Sequence, residues 1–302
     1  MSGRADRRRV DGILLLDKPA GISSNAALQR AKRALGALKA GHTGTLDPLA
    51  TGLLPIAFGE ATKFAQPLLD ARKAYVAVVR FGTATSTGDA EGEVVERGPV
   101  PPDRAAVARC LPALTGPIRQ VPPRYAALKH RGRAYYEWAR EGVDIERTPR
   151  EIVVHRLELA DWAPPDATLV VDCSKGTYVR VLAEDLGRAA GTCAHLAGLR
   201  RTRTGGYAIE QAVGLDALEA LDPGERSALL LPIATLVAGL PRLDLGADDA
   251  RRFRNGGVVA APGAPVERCA VFAGSDLLGI ARVSDGAAHP VRLVAPPEVP
   301  AR

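Results

Sequence analysis

One stretch of this 302-residue chain restricts the backbone more than any other: Gly41-His42-Thr43-Gly44-Thr45-Leu46-Asp47-Pro48-Leu49-Ala50-Thr51-Gly52. Its three glycines permit tight turns or close approach to a ligand. Pro48 fixes its own φ and drives Asp47 out of the helical region towards extended backbone. The string therefore reads as a rigid loop that holds one carboxylate among apolar neighbours. Such an acid, if buried, must be protonated or find a cation. Taken alone, an Asp-Pro in a glycine-rich loop reads first as a plain turn.

The remainder is the composition of a soluble globular protein, 46% hydrophobic and 25% charged, long enough for one large domain and a small one. Aromatics are only 4%, so the core is built from Leu, Val and Ala. The net charge of +6, carried more by Arg than by Lys, favours a polyanionic partner. Cys110, Cys173, Cys193 and Cys269 form no CxxC pair and read as buried free thiols of a cytoplasmic protein. No apolar run reaches the length of a membrane span, and no signal peptide follows the basic start. Histidines 42, 130, 155, 195 and 289 do not cluster, so no metal site is expected. GxSxG, GxxxxGK[ST], GxGxxG and HExxH are all missing, which removes the commonest hydrolase and nucleotide-binding signatures.

Along the chain, residues 1–10 form a basic arm with Arg4, Arg7, Arg8 and Arg9, either a tail that touches nucleic acid or a solvated one. Gly12 to Asp17 reads as a buried strand stopped by Lys18-Pro19-Ala20-Gly21. A helix is expected over Ala26–Leu38, capped from Ser23, Ser24 or Asn25. Lys73 to Gly82 is a strand, Pro102–Leu114 an amphipathic helix, and Ile152–Leu159 and Thr168–Cys173 are strands. A Gly-Thr-Tyr turn leads into a helix from Val181 to Ala190, and Cys193 to Arg203 ends in the basic cluster Arg200, Arg201, Arg203. Asp248–Arg254 is expected as a helix, with strand-like stretches at Cys269–Phe272 and Leu277–Val283, and the domain boundary falls near 238–242. Tyr125 to Arg140 mixes Lys129, His130, Arg131 and Arg133 with Tyr135, Tyr136 and Trp138; it is either an RNA-gripping insertion or a solvated helix face.

Three groups have complementary chemistry: Asp47 in its loop, Tyr75 at a strand start, and Arg180 after its turn. An arginine can keep a half-buried carboxylate ionised and aimed, and a phenol can stack on a base or relay a proton. The strings around them resemble the TruB-type tRNA pseudouridine synthases. The resemblance is carried by Leu16-Asp-Lys18-Pro19-Ala-Gly21, the Gly41–Gly52 string, Lys73-Ala-Tyr75, Cys173-Ser-Lys-Gly-Thr-Tyr178-Val-Arg180 and Ala194-His195-Leu-Ala-Gly198-Leu199-Arg200-Arg201, in the family's order over roughly 12–206.

This resemblance implies an α+β fold: a large mixed, mainly antiparallel sheet flanked by helices and loops, with a small C-terminal β-rich PUA-like domain. The implied division is a catalytic domain over 11–238, containing an RNA-gripping insertion at about 124–151, and a PUA-like RNA-binding domain over 239–302. The implied activity is isomerisation of a uridine in the tRNA T loop, at position 55, to pseudouridine, by base flipping, glycosidic-bond cleavage and rejoining through C5. Asp47 is then the essential carboxylate. Arg180 pairs with it, and Tyr75 stacks on the uracil and removes the C5 proton. Leu199 lines the uracil pocket, His42 faces the RNA, and Lys18 and Tyr178 lie beside the substrate. Lys129, Arg131, Arg133, Arg200 and Arg201 contact RNA. Asp89 matches an acidic position of a further loop, where Ser86 stands in place of an acid. No cofactor is implied, since nothing is oxidised and no group is brought in. The partner is the T arm of tRNA, with no membrane and no obligate protein partner; the chain is expected to be a cytoplasmic monomer. The rival readings are a non-catalytic tRNA-binding or folding chaperone, and a glycosidase needing a second carboxylate from Asp89 or Glu91.

Overall fold

The computed structural model describes residues 7–126 and 128–296. Arg4 of the basic arm and the last residues of the C-terminal domain lie outside them. A ten-stranded sheet forms the body of the molecule. Its main path runs Val213–Gly214, Gly12–Lys18, Thr51–Phe58, Ala194–Thr204, Lys73–Phe81, Asp166–Cys173, Arg150–Ala163 and Gly116–Gln120. Two of these neighbours run parallel, Gly12–Lys18 with Val213–Gly214 and Ala194–Thr204 with Thr51–Phe58, and the others are antiparallel. The sheet is thus mixed and mainly antiparallel, as expected.

The uninterrupted apolar run Gly12–Leu16 has a direct structural cause. Its strand is buried on both faces, and the period of two divides its side chains between two cores. Leu14 and Leu16 join the main core with Leu54, Ile56 and Phe58. Ile13 and Leu15 face the other way, into a second core shared with Leu53, Ala57, Phe64 and, from the C-terminal region, Ala270, Phe272 and Ile280. Burying each such leucine or isoleucine is worth about 1.5–3 kcal/mol. The strand Lys73–Phe81 instead alternates: Lys73, Tyr75, Ala77, Val79 and Phe81 point into the main core, while Arg80 on the opposite face is exposed. That alternation puts Tyr75 on the same side as the helix that carries Arg180.

Two helices cover this face. Ser24–Ala34 starts at Ser23, whose hydroxyl accepts from the Ala26 amide at 3.1 Å, and buries Ala27, Leu28 and Ala31. It ends before Gly36, which takes φ +60°, so it is shorter than the periodicity over 26–38 predicts. Val179–Ala189 begins two residues earlier than expected, which places Arg180 in its first turn. It packs so closely on the next strand that a Cβ at Gly187 would stand 2.5 Å from the Ala194 amide nitrogen.

Other boundaries differ from expectation. The helix expected over 102–114 breaks into Arg104–Ala108 and a 3-10 turn at Leu111–Leu114, where Pro112 has no N–H to continue the first segment. The basic segment Tyr125–Arg140 is not one helix: Lys129–His130 pairs with Arg133–Ala134 as a small hairpin, followed by a six-residue helix, Tyr135–Arg140. Residues 194–203 belong to a strand, Ala194–Thr204. A separate five-stranded sheet follows Arg242, in the order Arg242–Asp244, Val266–Ala273, Asp276–Ser284, Ala287–Leu293 and Val259–Ala260. The helix Ala247–Arg254 closes its core through Ala250 and Phe253. Among the described residues no helix is long and apolar enough to cross a membrane.

Candidate active site

The loop that carries Asp47 is over-determined. Ser24, at the start of the first helix, satisfies both main-chain groups of Leu46: its hydroxyl accepts from the Leu46 amide at 2.7 Å and donates to the Leu46 carbonyl at 2.9 Å. The Ala50 amide closes a turn on the Asp47 carbonyl at 3.0 Å. From below, the Lys18 ammonium donates to the carbonyls of Pro19 at 2.8 Å, Ile22 at 2.7 Å and Pro48 at 3.4 Å. Behind the loop, Arg201 donates to the carbonyls of Leu53 at 2.7 Å, Gly44 at 3.2 Å and Thr45 at 3.5 Å. Gly52 lets the strands meet here: at φ +101°, a Cβ would lie 2.3 Å from the Arg201 carbonyl oxygen.

Held in this way, the Asp47 carboxylate is 37% exposed and lies 3.0 Å from Arg180 Nε. Arg180 is itself almost fully buried, and its fork is not spent on Asp47 alone. Nη1 lies 3.5 Å from Asp89 Oδ2 and donates to the Thr87 carbonyl at 3.3 Å, while Nη2 donates to the Tyr125 carbonyl at 2.7 Å. One guanidinium thus bridges two carboxylates. Asp89 is held in turn, its Oδ1 accepting from the Thr87 hydroxyl at 2.6 Å and the Glu91 amide at 3.1 Å. Loss of water pushes the Asp47 pKa above the usual carboxylate value, and the like charge of Asp89 adds to this. Arg180 and Lys18 oppose it. Tyr75 is buried and its phenol is pushed up by desolvation, with the Arg201 guanidinium pulling the other way.

The carboxylate stands where two open cavities meet. One, of about 310 Å³, is lined by Asp47, Tyr75, Tyr178, Arg180, Leu199 and Arg201, which unites six of the sequence-predicted site residues around one space. The other, of about 560 Å³, shares Asp47 and Arg180 and is walled by His42, Asn25, Tyr136 and Arg140. His42 Nδ1 is buried without a protein partner, and burial together with the charge of Arg201 lowers its pKa.

Several expected RNA contacts are placed differently. Lys18 is fully buried under the loop, its ammonium consumed by three carbonyls and its pKa lowered to about 8 by burial; it cannot reach a phosphate. Arg201 is 1% exposed and faces inwards, so it is no part of a surface cluster. Arg200, its neighbour, points to the opposite side of the strand and pairs with Asp17 at 2.7 Å, away from both cavities. Lys129 and Arg131 are exposed on the hairpin, and Arg131 takes φ +49° at its tip. Arg133 leans on the Trp138 ring at 4.4 Å and pairs with Glu141 and Glu137, so its charge is partly spent within the segment. Sequence reasoning missed Asp89 as the second partner of Arg180, although its acid in a Thr-Gly-Asp turn was visible. It also missed Tyr125, which acts through its main-chain carbonyl and leaves no mark in the sequence. Gln120 was missed too: it accepts from the Tyr178 amide at 3.0 Å and fixes the start of the Arg180 helix.

Solved structures share this fold over most of the chain. The chain is similar to the archaeal box H/ACA sRNP Nop10-Cbf5 complex's matching chain at a TM-score of 0.69, with 23% identity over 93% of this chain and 85% of that one. It is similar to a chain of a Cbf5-Nop10-Gar1 complex at a TM-score of 0.70, with 24% identity over 93% and 84%. Sequence comparison is more specific. The model of the TruB family pseudouridylate synthase N-terminal domain matches residues 32–179, and that of the tRNA pseudouridylate synthase B C-terminal domain matches 180–238. The chain belongs to the TruB family. Proteins named tRNA pseudouridine synthase B from Aromatoleum aromaticum, Burkholderia lata and Cupriavidus pinatubonensis are 51%, 52% and 52% identical to it. Each match covers 96% of this chain and 95%, 92% and 96% of the respective relative.

Proposed function

We propose that this chain is a tRNA pseudouridine synthase that isomerises the T-loop uridine at position 55. The single observation that carries the reading is the Asp47–Arg180 pair at 3.0 Å, held on a rigid loop where two cavities meet. A T-loop base cannot be reached while stacked, so it must be flipped into a pocket. The smaller cavity suits the flipped uracil, with Tyr75 to stack on it and Leu199 to close its wall. The larger one, with His42, Asn25 and Arg140, suits the RNA from which the base has left. Asp47, ionised, attacks the nucleotide or takes a sugar proton as the C1′–N1 bond breaks; the uracil turns and C5 bonds to C1′ as the Asp47 bond breaks or the sugar proton is returned. Tyr75 relays the last proton, its phenol giving one to N1 as it takes up the one from C5, so atoms and protons balance without a cofactor.

Asp47 must be ionised to act, and its pKa is raised in the folded protein. Turnover is therefore expected to fall as pH drops through a value above the ordinary carboxylate range. The hairpin and helix at 129–140, within an insertion at about 124–151, grip the T arm, and the C-terminal β domain over 239–302 adds RNA contact as a PUA-like unit. The chain works in the cytoplasm as a monomer, with tRNA as its only obligate partner.

Incubating the protein with unmodified tRNA and mapping pseudouridine by a position-resolving chemical probe tests the assignment. Pseudouridine at the T-loop uridine, absent when that uridine is replaced by cytidine, is the expected result. Bound but unmodified tRNA would support an RNA-folding role instead, and release of free uracil would support glycosidase chemistry.

A further inference from the structure

Arg201 is the largest fully buried side chain of the molecule, yet among the described residues no carboxylate lies within ion-pair distance of it. A buried, uncompensated charge is costly, and such a group persists where it is fully hydrogen-bonded and positioned for use. Arg201 makes three such bonds, all of them to carbonyls. Two of the three, Gly44 and Thr45, belong to the loop three and two residues before Asp47; the third, Leu53, belongs to the strand into which that loop runs. Its own Cα is fixed from two sides. In the sheet register it stands opposite Gly52 on one neighbouring strand and opposite Tyr75 on the other. Gly52 has no Cβ to hold the strands apart at this point. The same guanidinium lines the smaller cavity beside Tyr75 and Asp47, and its charge acts on both the Tyr75 phenol and the His42 imidazole.

The geometry points to Arg201 as a positioning residue: it clamps the Gly44–Thr45 backbone so that Asp47 meets Arg180, and it sets the phenol of Tyr75 in the same cavity. This rests on the reading of Asp47 as the reacting carboxylate. Arg201 reaches no RNA in this arrangement; it acts through the loop. A cation on the surface would contribute chiefly to tRNA affinity. A clamp contributes to the chemical step, because a misplacement of about 1 Å at a reacting group costs on the order of 100-fold. Lysine at 201 would keep the charge but lose the fork that spans two strands and a loop.

The test is single-turnover pseudouridine formation and tRNA binding for wild type, Arg201→Lys, Arg201→Ala and Asp47→Ala. Arg201→Lys is expected to lose about 10-fold or more in the rate of the chemical step with tRNA affinity within about twofold of wild type. Added guanidinium ion should restore part of the rate to Arg201→Ala and none to Asp47→Ala. A wild-type rate in Arg201→Lys, or a loss confined to tRNA affinity, overturns the clamp while an inactive Asp47→Ala leaves the catalytic assignment standing. An active Asp47→Ala would instead remove the assignment on which the clamp rests. Should the Arg201 variants fail to fold, Gly44→Ala reads the clamp from the loop side. A lower rate with binding intact supports it, and an unchanged rate overturns it.

Discussion

The Gly41–Gly52 loop borders both cavities and the Lys129–Arg140 segment walls the larger one, and they are built on opposite principles. The loop is tied at almost every turn: Ser24 holds Leu46, Lys18 holds Pro48, and Arg201 holds Gly44 and Thr45. Its cations are buried and spent on carbonyls. The basic segment consists of two two-residue strands and one short helix, too little regular structure to be stable alone. Its cations are exposed or paired on its own surface. Chemistry that needs a carboxylate within tenths of an ångström belongs on the first kind of element, and adjustable contact with a folded RNA belongs on the second.

That contrast can be broken most sharply at Arg180. Arg180→Lys removes the fork that joins Asp47, Asp89 and two carbonyls, and turnover is expected to fall about 100-fold, on the order of 3 kcal/mol in the barrier. Near-wild-type kinetics would show that the bridge is dispensable. Gly52→Ala should be next in size. The strand crossing at Arg201 has no room for a methyl group and the φ is positive, so a loss of about 2–4 kcal/mol in unfolding free energy is expected by denaturant titration. In the basic segment, Lys129→Ala and Arg131→Ala should each leave the rate at saturating tRNA unchanged, weaken binding a few-fold, and lower the salt slope of binding by about one. A loss of turnover at saturation would place the segment in the chemistry.

The smallest effect concerns stability. A carboxylate with a raised folded-state pKa favours the fold when protonated; that contribution is fully present below the unfolded pKa and is lost as pH rises through the folded one. Asp47→Asn should therefore unfold at the same or a slightly higher temperature than wild type at neutral pH, while being inactive. A clear drop in melting temperature would mean that Asp47 serves the loop rather than the substrate.

Much of this was legible in the chain. Asp47, Tyr75, Tyr178, Arg180 and Leu199 line one cavity; the first four sit near a strand start, at a helix start or in a constrained turn whose geometry the local residues dictate, while Leu199 lies mid-strand. The alternation of Lys73–Phe81 and the continuous run at Gly12–Leu16 likewise report the faces of one strand half-exposed and another buried on both sides. What local sequence could not report is which cations are inside. Lys18, Arg200 and Arg201 all read as basic residues near the site; only the sheet register decides that two are sealed beneath the loop and the third faces out to Asp17. The sharing of Arg180 between Asp47 and Asp89 was hidden for a similar reason, since the two acids are brought together by the helix start and not by spacing.

The most direct test of the central claim is single-turnover pseudouridine formation in tRNA by wild type and Asp47→Ala side by side, with tRNA affinity measured for both. The expected result is modification of the T-loop uridine by wild type, none by Asp47→Ala, and affinities within a few-fold of each other. Modification by Asp47→Ala at a rate near that of wild type would contradict the account.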